Sequence, residues 1–145
     1  MTMVEVDVDT LIGPALDWVM ATLEELPIRH DPMAFGNTAN GGYWVWDNRP
    51  GGQMLQIGPK PAGFSDKHYS PSTRWDQLGP LILQFPIMLG NHKSVADDGT
   101  FWGSAHCFQS GTAFETADGV MVASCRAIAA YKYGAVVAVP KALVP

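Results

Sequence analysis

The segment DGVMVASCRAIAAYKYGAVVAVP, residues 118–140, carries the strongest structural signals of the chain. Its first part has an apolar stripe at helical spacing, formed by Met121, Val122, Cys125, Ile128 and Ala129. Asp118 is suited to cap the start of this helix, and Gly134 is suited to the positive φ of a C-terminal cap. Residues 135–139 are β-prone and almost entirely apolar, which predicts an internal strand that ends at Pro140.

The beginning of the chain shows the reverse order, a strand followed by a helix. Residues 3–8 alternate apolar and acidic side chains, which is typical of a strand with one buried face. Pro14 suits the first turn of a helix, and Pro27 ends the helical pattern. Between the two prolines, apolar side chains recur at helical spacing at Leu16, Val19, Met20 and Leu23.

The middle of the chain predicts shorter elements. Tyr43–Trp46 and Met54–Ile57 are β-prone runs separated by NRPGG, so we expect them to form a hairpin. Residues 87–108 read as two short strands around a turn-rich segment, and the GNHKS motif that begins at Gly90 is expected to be a turn.

A second helix is predicted after Ser72. Thr73 and Asp76 have the spacing of a capping box, and Gly79-Pro80 is expected to kink or split the helix. Its apolar stripe consists of Leu78, Leu81, Ile82 and Phe85.

Length and composition place the chain among globular proteins. It has 145 residues, of which 47% are hydrophobic and 16% are charged, and this excludes the composition of disordered chains. Helices interrupt the strands irregularly, which indicates the α+β class. We expect one small domain over residues 1–145, in which a mixed or antiparallel sheet packs with two or three helices.

The charge and the first residues restrict partners and location. A net charge of −5 disfavours sequence-independent nucleic-acid binding, which requires clustered Lys and Arg. The first ten residues lack the pattern of a secretory signal, and no apolar run approaches the ~18 residues of a membrane span. We therefore expect a cytoplasmic protein without a nucleic-acid or membrane partner.

Metal and cysteine chemistry are not predicted. The histidines are isolated and have no metal-ligand spacing: His30, His68, His92 and His106. Cys107 follows His106, but adjacent residues of a strand point to opposite faces and do not meet. Both Cys107 and Cys125 are expected to be small buried hydrophobic residues. No catalytic residue, cofactor or metal ligand is assigned.

The segment HYSPSTRWDQLGPL, residues 68–81, is the first candidate site. Its aromatic rings offer flat faces, and its hydroxyl groups and Arg74 offer donors for phosphate or carboxylate. In the alternative interpretation the segment is a capped helix start, in which Trp75 belongs to the core and the serines satisfy backbone donors. Tyr69 and Arg74 are less constrained by that alternative.

Two further features complete the candidate site. Trp44 and Trp46 share one face of a strand, and they are either an exposed binding pair or part of the core. Arg126 either reaches a ligand or pairs with an acidic neighbour. The predicted ligand-binding residues are therefore Trp44, Trp46, Tyr69, Ser70, Ser72, Thr73, Arg74, Trp102 and Arg126.

Two blocks of sequence together resemble a known family. They are YSPSTRWDQLGPLI, residues 69–82, and the pattern AxxRxxAAxKxGxxVxVP, residues 123–140. With ALDWVMA, residues 15–21, and the WGSA stretch that starts at Trp102, they resemble the NinX-like family of uncharacterised phage proteins. The resemblance implies a phage or prophage protein that acts inside a bacterial host cell, and it implies no particular activity.

Three classes of function follow from these observations. The first is a non-catalytic binder of a small anionic or nucleotide-like ligand that acts against host defence. The second is a protein-protein inhibitor or adaptor that engages a host enzyme. The third is an enzyme such as a hydrolase, for which the sequence assembles no nucleophile and base. We also expect a homo-oligomer, most simply a twofold dimer, because apolar surface is abundant.

Overall fold

The computed structural model of the protein describes residues 2–31, 41–46, 52, 54–60, 67–93, 99–107, 109 and 111–145. Within these residues the elements follow in the order β1 (Met3–Asp7), α1 (Gly13–Leu23), β2 (Ile28–His30), β3 (Tyr43–Trp46), β4 (Met54–Ile57), β5 (His68–Tyr69), α2 (Trp75–Ile82), β6 (Ile87–Lys93), β7 (Phe101–Cys107), β8 (Thr112–Thr116), α3 (Val120–Tyr133) and β9 (Val136–Pro140). Short 3-10 helices cover Val8–Thr10 and Lys141–Leu143.

The described strands form three small sheets. β1 and β9 make an antiparallel pair, and β6, β7 and β8 make an antiparallel sheet in that order. The third sheet has the order β2-β3-β4-β5, in which β4 and β5 run parallel. The predicted hairpin of β3 and β4 and the α+β class are confirmed.

Helix α3 occupies the centre of the structure. Eight consecutive residues, 122–129, are buried, because α1 packs on one side of the helix and β7 and β8 pack on the other. Close approach to β7 requires small residues: a Cβ on Gly103 would lie 2.0 Å from the backbone N of Val120. Ala105, Ala123 and Ala127 form the rest of this tight contact. The predicted helix is confirmed, but it is covered all round rather than along one stripe.

The prediction that residues 135–139 form an internal strand is wrong. β9 pairs with β1 alone among the described strands, and its exposed positions alternate with covered ones. Val137 and Val139 face Val6 and Val4 across the pair and pack on the core, whereas Val136 is 45% exposed. The continuous apolar run correctly predicted a strand at this position. It did not show that the strand is covered on both faces.

The predicted helix caps fare differently. Gly134 ends α3 with a φ of 90°, as expected for a glycine at this position. Asp118 does not cap the helix start, because the N-cap is Gly119 and no side chain caps it. The N-cap of α2 is Arg74, again without a side-chain cap, so the capping box of Thr73 and Asp76 is also wrong.

Two smaller expectations need correction. Helix α2 is continuous through Gly79-Pro80, so the proline does not split it. The expected turn at GNHKS is instead strand as far as Lys93, where β6 ends. In the described part of the chain, no helix has both the length and the hydropathy that a membrane crossing requires.

Candidate functional site

The β2-β5 sheet has one face toward the core and one face away from it. Val45 and Ile57 are buried among the core residues. The strand register places Trp44 opposite Gln56, and Gln56 opposite His68, so these three side chains share the other face. Trp46 follows on the same face and is 45% exposed. The prediction that Trp44 and Trp46 share one face is confirmed.

The turn between β5 and α2 is held by hydrogen bonds to its backbone. The carbonyl oxygen of His68 accepts bonds from Arg74 Nη1 at 2.9 Å and from Gln77 Nε2 at 2.8 Å. The carbonyl oxygen of Ser70 accepts bonds from the backbone N–H groups of Thr73 and Arg74 at 3.0 and 2.8 Å. Gln77 Oε1 in turn accepts the N–H of Ser70 at 2.5 Å. The turn is therefore fixed by the first residues of the helix that follows it.

Asp17, a fully buried residue of α1, lies beneath this turn. Its Oδ1 accepts the backbone N–H of Ser72 at 3.0 Å, and its Oδ2 accepts the hydroxyl of Ser70 at 2.9 Å. Burial raises the pKa of the Asp17 carboxyl to about 7, although the bonds from Ser72 and Ser70 act in the opposite direction. Strongly shifted pKa values of buried groups cluster at functional sites.

The hydroxyl of Ser70 continues the chain of contacts toward the surface. Its Oγ lies 2.7 Å from Oγ1 of Thr73, which is an exposed residue. Asp17, Ser70 and Thr73 therefore form a row of three oxygen groups that leads from the core to solvent. We call this row the hydroxyl chain.

A pocket of about 430 Å³ lies at the outer end of the hydroxyl chain. It is lined by Lys60, His68, Ser70, Thr73 and Arg74. Lys60 and Thr73 are exposed, and Arg74 is partly exposed, whereas His68 and Ser70 are buried and form the floor. Two cations and an exposed hydroxyl around one cavity suit an oxyanion.

The side chain of Tyr69 points away from this pocket. It is 4% exposed, and its hydroxyl donates a hydrogen bond to Glu24 of the segment after α1. Burial raises the pKa of Tyr69 well above its ordinary value, and the charge of Glu24 raises it further. Tyr69 therefore belongs to the core beneath the turn, and the expectation that it is less constrained than its neighbours does not hold.

The other predicted site residues divide into three groups. Ser70, Thr73 and Arg74 line the pocket, and Ser72 is buried behind it. Trp102 lies half-buried on β7, outside the lining of this pocket.

The alternative that places Trp75 in the core is wrong, because that side chain is 50% exposed.

Arg126 lies inside the structure and is not among the residues that line the pocket. Its Nε donates to the carbonyl oxygen of Leu11 at 2.8 Å, and its Nη2 lies 3.6 Å from Asp118 Oδ2. Burial lowers the pKa of Arg126, and Asp118 and Asp9 act in the opposite direction. The interpretation of Arg126 as the partner of an acidic neighbour is the one that fits these contacts.

Asp17 and Lys60 were missed in the sequence, and His68 belonged to the candidate segment but was not among the predicted ligand-binding residues. A signal existed for Asp17, because it lies one turn before Met20 on the buried side of a helix that is otherwise apolar. A carboxylate at such a position requires an explanation. No comparable signal marks Lys60, which lies just after β4, or His68, which begins β5.

The positions of the two cysteines agree with the sequence prediction. Cys107 is buried and His106 is exposed, so the prediction that they point to opposite faces is confirmed. Cys125 is also buried, as expected. Within the described ranges, no group of three or more His, Cys, Asp or Glu side chains is placed to hold a metal ion.

Comparison with known proteins identifies the family. The profile described as bacteriophage P22, NinX matches residues 7–132, which is most of the chain and includes α1, the turn of the hydroxyl chain and nearly all of α3. No match was found among curated proteins. The chain belongs to the NinX family of phage proteins.

Proposed function

We propose that this phage protein binds a small anionic, nucleotide-like ligand without changing it chemically. The observation that carries the proposal is the convergence of Lys60, Thr73 and Arg74 on one cavity, above a turn fixed from below by Asp17. Sequestering such a ligand would act against host defence if the ligand were a host signal, and the phage family supports this context.

Arg74 is held in position before any ligand arrives. Its Nη1 donates to the carbonyl of His68, and its Nε and Nη2 donate to the two carboxylate oxygens of Asp76 at 3.1 and 2.8 Å. Both partners of that ion pair are more than one-third exposed, and exposed pairs contribute about 0–1 kcal/mol. An anion in the pocket can therefore displace Asp76 at little cost, while His68 keeps the guanidinium in place.

The tryptophan face of the sheet supports a ligand with an aromatic ring. Trp44 lies two strands away from His68 on the same face, a separation of roughly 10 Å. Gln56, which lies between them, is 1% exposed, so a nucleotide with its phosphate at Arg74 would extend over the outside of this covered residue to stack its base on Trp44 or Trp46. Stacking of one base on an aromatic side chain contributes about 1–3 kcal/mol.

Binding without catalysis is supported by the burial of the reactive groups. Ser70 is the hydroxyl that contacts a carboxylate, but its exposure is 0%, and Asp17 lies deeper still. The exposed hydroxyl of the lining, that of Thr73, contacts the hydroxyl of Ser70, which lies between it and Asp17. An attacking group and its base are thus not presented together to a ligand.

The test is titration calorimetry with adenosine monophosphate and with adenosine. We expect binding of the nucleotide to weaken at least tenfold in Arg74→Ala and in Lys60→Ala, because each change removes a cation from the pocket. Lys132→Ala is the matched control, since it removes an exposed cation near the C-terminal end of α3, and Lys132 does not line the pocket. Chromatography of the ligand after incubation must show it unchanged.

Equal affinity of the Arg74→Ala variant and the parent protein for the nucleotide would contradict the proposed site. Conversion of the ligand to a product would contradict the non-catalytic role and would favour an enzyme.

A protein-protein inhibitor or adaptor is the second candidate. It is favoured by large apolar side chains that are exposed away from the pocket, namely Leu83, Met88 and Phe101. The register places Met88 and Phe101 on opposite faces of the β6-β7-β8 sheet, so each represents a separate surface. Either surface would also serve a twofold dimer of the chain. Light scattering at micromolar concentration tests the dimer, and pull-down from host lysate with Phe101→Ser and Met88→Ser tests the adaptor. A monomer that captures no host protein contradicts both.

A further inference from the structure

We infer that Asp17 determines which oxyanion the pocket selects, by setting the direction of the hydrogen bonds along the hydroxyl chain. The inference rests on the proposed function of the pocket. With Asp17 ionised, the chain ends in an acceptor at Thr73, so the pocket selects an anion that carries a donor O–H beside its charged oxygens. Hydrogen phosphate is a small ligand of this kind, and a phosphate next to a sugar hydroxyl is the nucleotide form.

The two oxygens of Asp17 have different roles. Oδ1 accepts the backbone N–H of Ser72 at 3.0 Å, and an N–H group can only donate. Only Oδ2 can therefore change between accepting and donating when Asp17 gains or loses its proton. Oδ2 lies 2.9 Å from the hydroxyl oxygen of Ser70. The carboxyl is wholly buried, so no solvent exchanges with these partners.

Ser70 transmits the state of Asp17 to Thr73 because a serine has one hydroxyl hydrogen. When Asp17 is ionised, that hydrogen lies on the bond to Oδ2. The two hydroxyl oxygens of Ser70 and Thr73 are 2.7 Å apart, and a contact this short needs a hydrogen between them. The hydrogen must then come from Thr73.

Thr73 consequently presents only lone pairs to the pocket. A competing acceptor, the carbonyl oxygen of Ser70, lies 3.4 Å from Thr73 Oγ1, which is longer and weaker than the contact to Ser70 Oγ. Thr73 thus accepts from a ligand O–H, and it repels a ligand oxygen that has no hydrogen. Lys60 and Arg74 supply the attraction for the charge in either case.

Asparagine at position 17 reverses the chain. The bond from Ser72 N–H requires the amide oxygen at the position of Oδ1, so the amide NH₂ faces Ser70. Ser70 then accepts from Asn and donates to Thr73, and the hydrogen of Thr73 becomes available to the pocket. This amide reproduces the shape and the hydrogen bonds of a protonated Asp17.

The ionisable groups around Asp17 keep its state defined in alkaline solution. Burial raises the pKa of Asp17 to about 7, so the carboxyl is ionised at about pH 8.5. Tyr69 and Cys125 face it from the turn and from α3, and burial raises the pKa of both well above their ordinary values, so they stay neutral. Glu24 acts on Tyr69 and Cys125, and it is bonded to Tyr69. His68 is the ionisable group of the pocket floor.

The experiment compares sulfate with hydrogen phosphate by titration calorimetry at about pH 8.5. At this pH both ligands are tetrahedral dianions of nearly equal size, and they differ in the central atom and in the one hydroxyl hydrogen that only hydrogen phosphate carries. We expect the parent protein to bind hydrogen phosphate about tenfold more tightly than sulfate. Hydrogen phosphate donates one hydrogen bond to Thr73, whereas sulfate leaves that acceptor without a donor. Asp17→Asn should abolish or invert this preference, and Thr73→Val should bind both anions equally.

Each result has one meaning. If the parent protein binds neither anion, the pocket is not an oxyanion site, and the proposed function fails with the inference. If it binds both equally, the proposed function stands and the inference is overturned. Retention of the parent preference in Asp17→Asn also overturns it. If Asp17→Asn does not fold, the exposed Thr73→Val change decides, because retained preference there overturns the inference equally.

Discussion

Each of the two helices that pack together in the core buries one charged side chain, and the two charges are treated differently. Arg126 of α3 lies beside Asp118 and donates to a carbonyl oxygen, so its charge is compensated. Asp17 of α1 has hydroxyl and amide donors but no cation among its recorded partners in the described residues. A buried charge with an opposite charge beside it can hold two elements of the fold together. A buried charge without such a partner lowers stability, and groups of this kind cluster at functional sites.

The largest expected effect is the dependence of stability on the ionisation of Asp17. Its pKa is raised from 3.8 in the unfolded chain to about 7 in the folded one, so the folded protein binds the proton more tightly. The contribution of Asp17 is therefore fully present below about pH 4 and is lost as the pH rises to about 7, a change on the order of 4 kcal/mol.

Urea unfolding of the parent protein and of Asp17→Asn at about pH 4 and pH 8 measures this change. The variant lacks the titrating group, so the difference between the two proteins isolates Asp17 from other carboxylates. We expect the stability of the parent relative to the variant to fall as the pH rises. If the difference in free energy of unfolding between the two proteins were the same at both pH values, Asp17 would be compensated as Arg126 is. The contrast between the two buried charges would then be wrong.

The next effect concerns the apolar packing that surrounds Arg126. Ile128 is fully buried on α3, two residues after Arg126. Ile128→Ala should lower the free energy of unfolding by about 2–4 kcal/mol at every pH, through lost burial and the cavity that remains. Val136→Ala on the exposed side of β9 is the control and should cost far less. An unchanged denaturation midpoint for Ile128→Ala would show that α3 is not the central helix.

Replacement of Arg126 tests whether its charge is structural. Arg126→Met keeps most of the volume but removes the bond to the carbonyl of Leu11 and leaves that oxygen without this donor. We expect a loss of about 2 kcal/mol in the free energy of unfolding, since a hydrogen bond from a charged donor contributes about 1.5–3 kcal/mol. Ligand affinity should not change, because Arg126 is not among the pocket residues. Lys132→Met, on the exposed end of α3, is the control for loss of a cation.

Elements with a long periodic pattern were predictable from the sequence, and elements defined by partners were not. The spacing of Leu16 and Met20 in α1 and of Cys125 and Ile128 in α3 identified both helices. β5 has two residues and exists because β4 lies parallel to it, so no local pattern marks it. β8 was also missed, although its residues alternate in exposure as a half-covered strand does.

The site was predictable to the same extent. Ser70, Thr73 and Arg74 are neighbours in sequence, so their proximity required no fold. Asp17 is more than fifty residues away from Ser70 and reaches it only because α1 packs beneath the turn. The sequence could indicate that a carboxylate on a buried helical face needs partners, but it could not name them.

The smallest effect on stability, and the sharpest on binding, is expected at the surface of the site. Arg74 and Trp75 are adjacent, and the sequence predicted Arg74 as a ligand-binding residue and, in the alternative interpretation, Trp75 as a core residue. Trp75 is 50% exposed, so Trp75→Ala should cost much less than truncation of a buried aromatic side chain, for which about 3–5 kcal/mol is typical. Arg74→Ala removes an exposed ion pair worth about 0–1 kcal/mol, although it also releases the carbonyl of His68.

Melting temperature and nucleotide affinity, measured on both variants, separate the two roles. Arg74→Ala should melt within a few degrees of the parent protein and bind at least tenfold more weakly, because the pocket loses a pre-oriented cation. If Arg74→Ala keeps full affinity, the turn above Asp17 has a structural role only. Ligand binding would then not explain why the Asp17 carboxyl is buried without a cation beside it. If Trp75→Ala proves the more weakly binding variant, the ligand contacts the exposed indole at the start of α2, and the base-stacking position moves there from Trp44.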